Sequence, residues 1–294
     1  MSDTMIKDAN FPKISYGSPH DLQGKTVVIV GGTGGIGRAL SRYFAANKAS
    51  VIVVGQTFRD AGIGGITFLQ ADLSRMTEAK RVAGLLPAPA IDMLIFTSGI
   101  FAAPKRQETA EGLERDMAVS YLSRQVMLRE LATQLGSANT TKTRVFVMGY
   151  PGSGKPGTLG DLNAETNYRP MEVHMNTVAG NEMMVLDGAQ RYPNLSIFGL
   201  NPGFVKTNIR ANFLGGNKLF FNALETVIGW LTPTAEQYAR SITPLLLSPQ
   251  LDLHNGTLFD RKGRAIHPSK GISDPQHMQA FIQQSSSLIG RVLD

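Results

Sequence analysis

The chain has no cysteine among its 294 residues, so disulfides and thiolate metal sites are excluded. Histidine is scarce too. The five present show no His-Glu-x-x-His or similar spacing, and no metal site is expected. No long apolar run is uninterrupted: the most apolar stretch, 213–231, carries Lys218, Asn222 and Glu225, which argues against a spanning helix. The first twenty residues lack an apolar core, so no secretory leader is expected and the default compartment is the cytoplasm. Charged residues are only 18% of the chain. The Lys and Arg behind the net charge of +6 and the pI of about 9.5 are dispersed, so nucleic acid is not the expected partner. Internal repeats, low-complexity tracts and a linker rich enough to split the chain are all missing.

What is present is a regular alternation. Short β-rich runs fall at Thr26–Gly31, Ser50–Gly55, Thr67–Ala71, Ile91–Thr97, Arg144–Gly149 and Leu195–Leu200. Their apolar continuity suits strands buried on both faces of a parallel sheet. Helical stretches intervene at 35–47, 75–85, 109–135 and 171–191. The expected fold is α/β: a single-domain, Rossmann-like, doubly wound parallel sheet with helices on both faces. Residues 1–20 are expected to be an arm and 21–294 the domain. A helix near 233–247 leads to a last strand, Gly256–Asp260, and Asp274 is placed to cap a final helix over about 275–290. An apolar lid is expected over about 208–232, after the sixth strand, with membrane-surface contact as the alternative.

Residues 25–38 read KTVVIVGGTGGIGR. A strand runs into Gly31, Gly32, Thr33, Gly34, Gly35 and Gly37, and a helix opens near Ile36. Glycines at a strand end let the backbone turn tightly and approach a pyrophosphate, and the helix amino end offers free N–H groups to it. That context makes the loop a dinucleotide site. The second strand should end in the group that reads the ribose. Its tip carries no Asp or Glu but Gln56, Thr57 and Arg59, with Arg38 near the glycine loop. Donors there favour the extra phosphate of NADP(H) over NAD(H).

With these motifs in order, residues 22–260 resemble the short-chain dehydrogenase/reductase family. Gly31 to Gly37 fits its Gly-x-x-x-Gly-Ile-Gly spacing, and Ala71-Asp72-Leu73 looks like its adenine-binding segment. Phe96-Thr97-Ser98-Gly99 stands where the family has Asn-Asn-Ala-Gly, keeping only the glycine. Asn201-Pro202-Gly203-Phe204-Val205-Lys206-Thr207 matches its Pro-Gly-x-x-x-Thr loop, which in the family lies against the nicotinamide. The resemblance implies a cofactor site built from Gly31, Thr33, Gly34, Gly35, Ile36, Gly37, Arg38, Gln56, Thr57, Arg59, Asp72, Leu73, Ser98, Gly99, Pro202, Gly203 and Thr207. It also implies a homo-oligomer packing the fourth and fifth helices together. One departure is large. The family's Tyr-x-x-x-Lys centre occurs nowhere in this chain. By family spacing, its Tyr and Lys positions fall near His174 and Val178, its Ser at Gly149 or Tyr150, and its Asn at Ser120.

Two residues are candidates for the chemistry. Tyr150 follows the fifth strand, where ligands bind in open α/β sheets, with Lys155 as a candidate helper. His174 shares a helix face with Val178 and Asn181, and histidine serves as acid or base near neutral pH. Asn176 and Asn181 are candidates for polar contacts to ribose or substrate. Residues 151–170 are expected to be a surface loop, because the full phosphate-loop pattern is absent. The function expected is NADP(H)-dependent reduction of a carbonyl or related group on a small apolar substrate with a non-standard proton donor. The alternatives are a non-redox isomerase, epimerase or cyclase on the same scaffold, and a non-catalytic NADP(H) sensor or scaffold.

Overall fold

The computed structural model describes residues 5–205 and 233–294; the expected lid and Thr207 lie outside them. The strands are β1 (Thr26–Val30), β2 (Ser50–Gly55), β3 (Ile66–Gln70), β4 (Met93–Phe96), β5 (Thr143–Met148), β6 (Leu195–Leu200), β7 (Leu258–Phe259) and β8 (Ala265–Ile266). They form one eight-stranded sheet in the order β3-β2-β1-β4-β5-β6-β7-β8. β1 lies between β2 and β4, with Val27 opposite both Val51 and Met93. The chain therefore reverses its winding at the β1/β4 boundary, where open α/β sheets bind ligands.

The sheet is parallel through β7, and β8 turns back antiparallel. The all-parallel expectation misses that last strand. It has two residues, too few for any periodicity, and is made by a turn in which Asp260 Oδ1 accepts from Lys262 N and Arg264 N. Residues from the arm close this edge: His267 N donates to Ile6 O (2.8 Å), and Asp8 N to Ala265 O (3.0 Å).

The helices are α1 (Gly35–Ala46), α2 (Met76–Ala83), α3 (Arg115–Met117), α4 (Ser123–Leu131), α5 (Pro170–Arg191), α6 (Ala235–Leu246) and α7 (Pro275–Leu293). Strand residues alternate between the faces. Val27 and Ile29 pack under α1 and α6 with Leu40, Phe44, Tyr238 and Ile242. Val28 and Val30 pack under α2, α4, α5 and α7 with Val82, Leu128, Met183 and Phe281. Each such buried side chain contributes about 1.5–3 kcal/mol.

Two expectations are corrected. The helix expected from 109 begins at Arg115, because Gly112 turns with φ +76° and the Glu114 side chain caps the helix by accepting from Met117 N (2.7 Å). Residues 151–170 are more than a surface loop. Asn163 is buried and holds Glu114 N and Gly112 O, while Gly157 packs on Phe281. The final helix is capped by Asp274, as its sequence predicts, and runs to Leu293. It covers α4 and α5: the Phe281 ring lies 6.0 Å from Tyr121, and Arg129 donates to Ser286 (2.7 Å). α7 thus packs on the same face of the sheet as α2, α4 and α5.

Candidate active site

A cleft of about 710 Å³ runs along the carboxyl ends of the strands, from Gln56 and Leu73 across β1 and β4 to His174 and Phe204. Its first half is made by local chain. β1 delivers Gly31, whose φ of +91° suits glycine, and a Cβ there would collide with Ser98 N at 2.3 Å. α1 starts at the cleft with Gly34 as N-cap and no side-chain cap bond. Its first N–H groups and the positive end of its dipole face the open space. At the far end of this half, Asp72 Oδ1 accepts from Gln56 Nε2 (2.7 Å) and Ser74 Oγ (2.8 Å). Burial raises the Asp72 pKa, but the bonds from Ser74 and Gln56 outweigh it and hold the carboxyl below its usual value.

Beyond β2, Arg38 closes bidentately on the buried Asp60 through Nε (2.9 Å) and Nη2 (2.6 Å). That bond, with the charges of Arg38, Arg42 and Arg59, lowers the Asp60 pKa despite burial. Three arginines thus gather around Asp60, and Glu236 lies near enough to act on Arg38. Arg59 Nη1 reaches Thr33 O at 3.3 Å, beside the glycine loop.

The second half is made by two helical stripes that meet. The segment from α3 into α4 passes through a π turn, Ala118–Leu122, and presents Asp116, Ser120 and Arg124. α5 presents His174, Thr177 and Asn181. His174 Nδ1 meets Asp116 Oδ2 at 2.8 Å, inside a fully buried carboxylate site. A carboxylate only accepts, so the Nδ1–H donates and Nε2 is left for the cleft. Ser120 Oγ donates to the other Asp116 oxygen (2.5 Å) and accepts from Ile100 N (3.0 Å). The Phe101 ring stacks on the imidazole, with centroids 4.1 Å apart. Asn181 donates to Ser120 O (2.8 Å) and accepts from Arg124 Nη1 (2.9 Å). Burial pushes the Arg124 pKa down to about 9, with the Asp116 charge opposing. Tyr150, Met171 and Phe204 stand at the mouth, each substantially exposed.

A sequence profile for short chain dehydrogenase matches residues 25–146. A Saccharomyces cerevisiae protein named only as an uncharacterized oxidoreductase is 45% identical over 280 residues, covering 93% of this chain and 90% of that protein. The chain belongs to the short-chain dehydrogenase/reductase family. It is an oxidoreductase of that family. Human retinol dehydrogenase 14 is 25% identical over 277 residues, covering 83% of this dehydrogenase/reductase and 80% of its own length. Among solved structures, an uncharacterized protein from Mycobacterium paratuberculosis superposes with a TM-score of 0.66 at 22% identity, over 94% and 98% of the two chains. BdcA, solved in complex with NADPH, superposes with a TM-score of 0.60 at 18% identity, over 84% and 97%.

Most of the residues expected to hold cofactor in this dehydrogenase/reductase line the cleft: Gly31, Thr33, Gly34, Gly35, Ile36, Gly37, Gln56, Leu73, Ser98, Gly99, Pro202 and Gly203. Asp72 sits just behind Gln56 and Ser74. Four expectations fit less well. Arg38 is committed to Asp60 rather than turned to the cleft, Thr57 and Arg59 do not line it, and Asn176 holds Thr158 N (2.8 Å) instead of facing ligand. Both Tyr150 and His174 line the cleft; Lys155 does not.

Asp60, Asp116 and Arg124 were absent from the expected set. Asp116, Ser120 and Arg124 recur every four residues, so an acid, a hydroxyl and a guanidinium share one buried face. That stripe was the available signal. The residues fit a dinucleotide: bare helix N–H groups for phosphate, a held carboxylate at one end, and the buried Ser98 Oγ, which has no partner among the described residues, toward the other. Among the described residues no group of His, Asp and Glu is arranged to hold a metal, and no helix is long and apolar enough to cross a membrane.

Proposed function

We propose that this oxidoreductase is an NADP(H)-dependent reductase of carbonyl or related groups on small apolar substrates, with His174 as its proton donor. The observation that carries the reading is the 2.8 Å bond from His174 Nδ1 to the buried Asp116. It fixes the ring and its tautomer and leaves Nε2 to the cleft. When bound, a reduced nicotinamide dinucleotide supplies a hydride to the carbonyl carbon. Starting as the imidazolium, with Nδ1–H held by Asp116, His174 gives its Nε2 proton to the carbonyl oxygen as charge develops there, which completes the alcohol and leaves the neutral Nδ1–H tautomer. Asp116 is a positioning residue: it accepts from Nδ1 and stabilises the imidazolium, while Ser120 holds its second oxygen. Tyr150, partly exposed at the mouth, orients substrate.

The preference for NADP(H) rests on charge. Asp60, just beyond β2, is already closed by Arg38, and Asp72 is held by Gln56 and Ser74, which leaves Arg42 and Arg59 for the 2′-phosphate. The apolar substrate class rests on the walls of the reacting end, where Ile100, Phe101, Val119, Met171, Met175 and Val178 stand. A relative named for retinol is in keeping with that class.

The test is a panel of apolar ketones, aldehydes and enones assayed by NADPH oxidation, for wild type and His174→Ala. Turnover in wild type and its collapse in the variant support the reading. NADPH binding with no turnover across the panel would move the sensor or non-redox alternatives ahead.

A further inference from the structure

The least expected group in the cleft is a buried cation. Arg124 is only 3% exposed. Its Nε donates to Ser98 O (3.1 Å), and Nη2 donates to the same carbonyl. Nη1 donates to Met148 O (2.6 Å) and Asn181 Oδ1 (2.9 Å). A guanidinium carries five N–H donors, so four are used, all on neutral acceptors. The fifth, on Nη2, has no partner among the described residues. Nη2 lies 3.6 Å from where a Gly99 Cβ would stand, and both residues line the cleft. Among the described residues no carboxylate bonds this guanidinium, since Asp116 is taken by His174 and Ser120. Removing a charge from water without a bonded counter-ion is costly, and neutral donors would tie these carbonyls together more cheaply. The charge is therefore kept for something that enters the cleft.

Position says what that is. Met148 ends β5 and Ser98 lies two residues past β4. The glycine loop and the start of α1 are on β1, across the switch point. A dinucleotide with its pyrophosphate on α1 brings its second nucleoside over β4. We propose that Arg124 gives its spare N–H to a ribose hydroxyl of that second nucleoside and supplies the fixed positive charge at the reacting end. The charge reaches the floor from α4, whereas the family resemblance puts a Lys at Val178 on α5. This inference rests on the dinucleotide reading above.

Titration calorimetry with two probes tests it. NADPH spans the whole cleft, and adenosine 2′,5′-bisphosphate occupies the adenosine end alone. For Arg124→Met, NADPH should bind roughly 10- to 100-fold more weakly, the loss of one charge-assisted hydrogen bond, while the bisphosphate binds as to wild type. Arg124→Lys, which keeps the charge, serves if the Met variant does not fold, and its loss should again be confined to NADPH. Unchanged NADPH affinity overturns the assignment. So does an equal loss on both probes, the mark of a residue that only ties the strands. A wild type that binds neither probe overturns the dinucleotide reading itself.

Discussion

The two ends of the cleft are built in different ways. At the β1–β3 end each feature comes from one short stretch of chain: the turn at Gly31, the open start of α1, the Gln56–Asp72–Ser74 cluster. At the β4–β6 end nothing local suffices. Asp116 and His174 are 58 residues apart and Arg124 and Asn181 are 57 apart, and they meet only because α3, α4 and α5 pack side by side. Phosphate and adenosine are recognised by backbone geometry that few sequences provide. Proton transfer needs only a held acid with the right neighbour, and a fold can supply that from more than one place. The β1–β3 end thus fits the family's glycine-loop spacing, while the β4–β6 end lacks its Tyr-x-x-x-Lys.

Substitutions at the two ends should separate accordingly, and the largest effect is expected at the reacting end. His174→Ala should lower kcat by about 10²- to 10⁴-fold, the usual range for a general acid, with NADPH affinity unchanged in a fluorescence titration. A kcat within a factor of two of wild type would break the division. Asp116→Asn should lower kcat by roughly 10- to 100-fold, the worth of one charge-assisted bond to the imidazolium, and should displace the pH–rate profile. At the other end, Arg59→Ala should weaken NADPH by about tenfold, leave NADH unaffected and leave kcat at saturation unchanged. Equal effects on both cofactors would remove Arg59 from the phosphate site.

The smallest effect is on stability. Burial raises the Glu114 pKa from 4.5 to about 7, against the helping bond from Met117 N, with the Asp116 charge pushing the same way as burial. The folded chain holds this proton more tightly than the unfolded one. The contribution to stability is therefore fully present below pH 4.5 and lost as pH rises through 7. Glu114→Gln should flatten the dependence of Tm on pH across that window while leaving cofactor affinity unchanged. An unaltered slope would mean that the cap does not titrate there.

The same contrast explains what could be read from the sequence. β2 and β6 fall where their apolar runs end, and the glycine loop, Asp72 and the Pro202-Gly203 turn announce themselves because each is contiguous. β8 was hidden by its length of two residues, and the start of α3 by a glycine turn inside an apparently helical pattern. Arg38 appeared available because Asp60, its partner across a turn, does not look like a buried residue in sequence. His174 was legible as a polar residue on an apolar helix, but its partner was not. Pairing between helices depends on their packing and on the π turn at Ala118–Leu122, which shifts which side chains face inward.

The most direct measurement is a parallel titration of the purified chain with NADPH and NADH, following nucleotide fluorescence and Tm together. Binding to the folded state alone raises Tm by mass action. NADPH binding at least roughly tenfold tighter than NADH, with a matching larger rise in Tm, is the result this account predicts. Binding of neither nucleotide, or of both with equal affinity and equal rise in Tm, would contradict it.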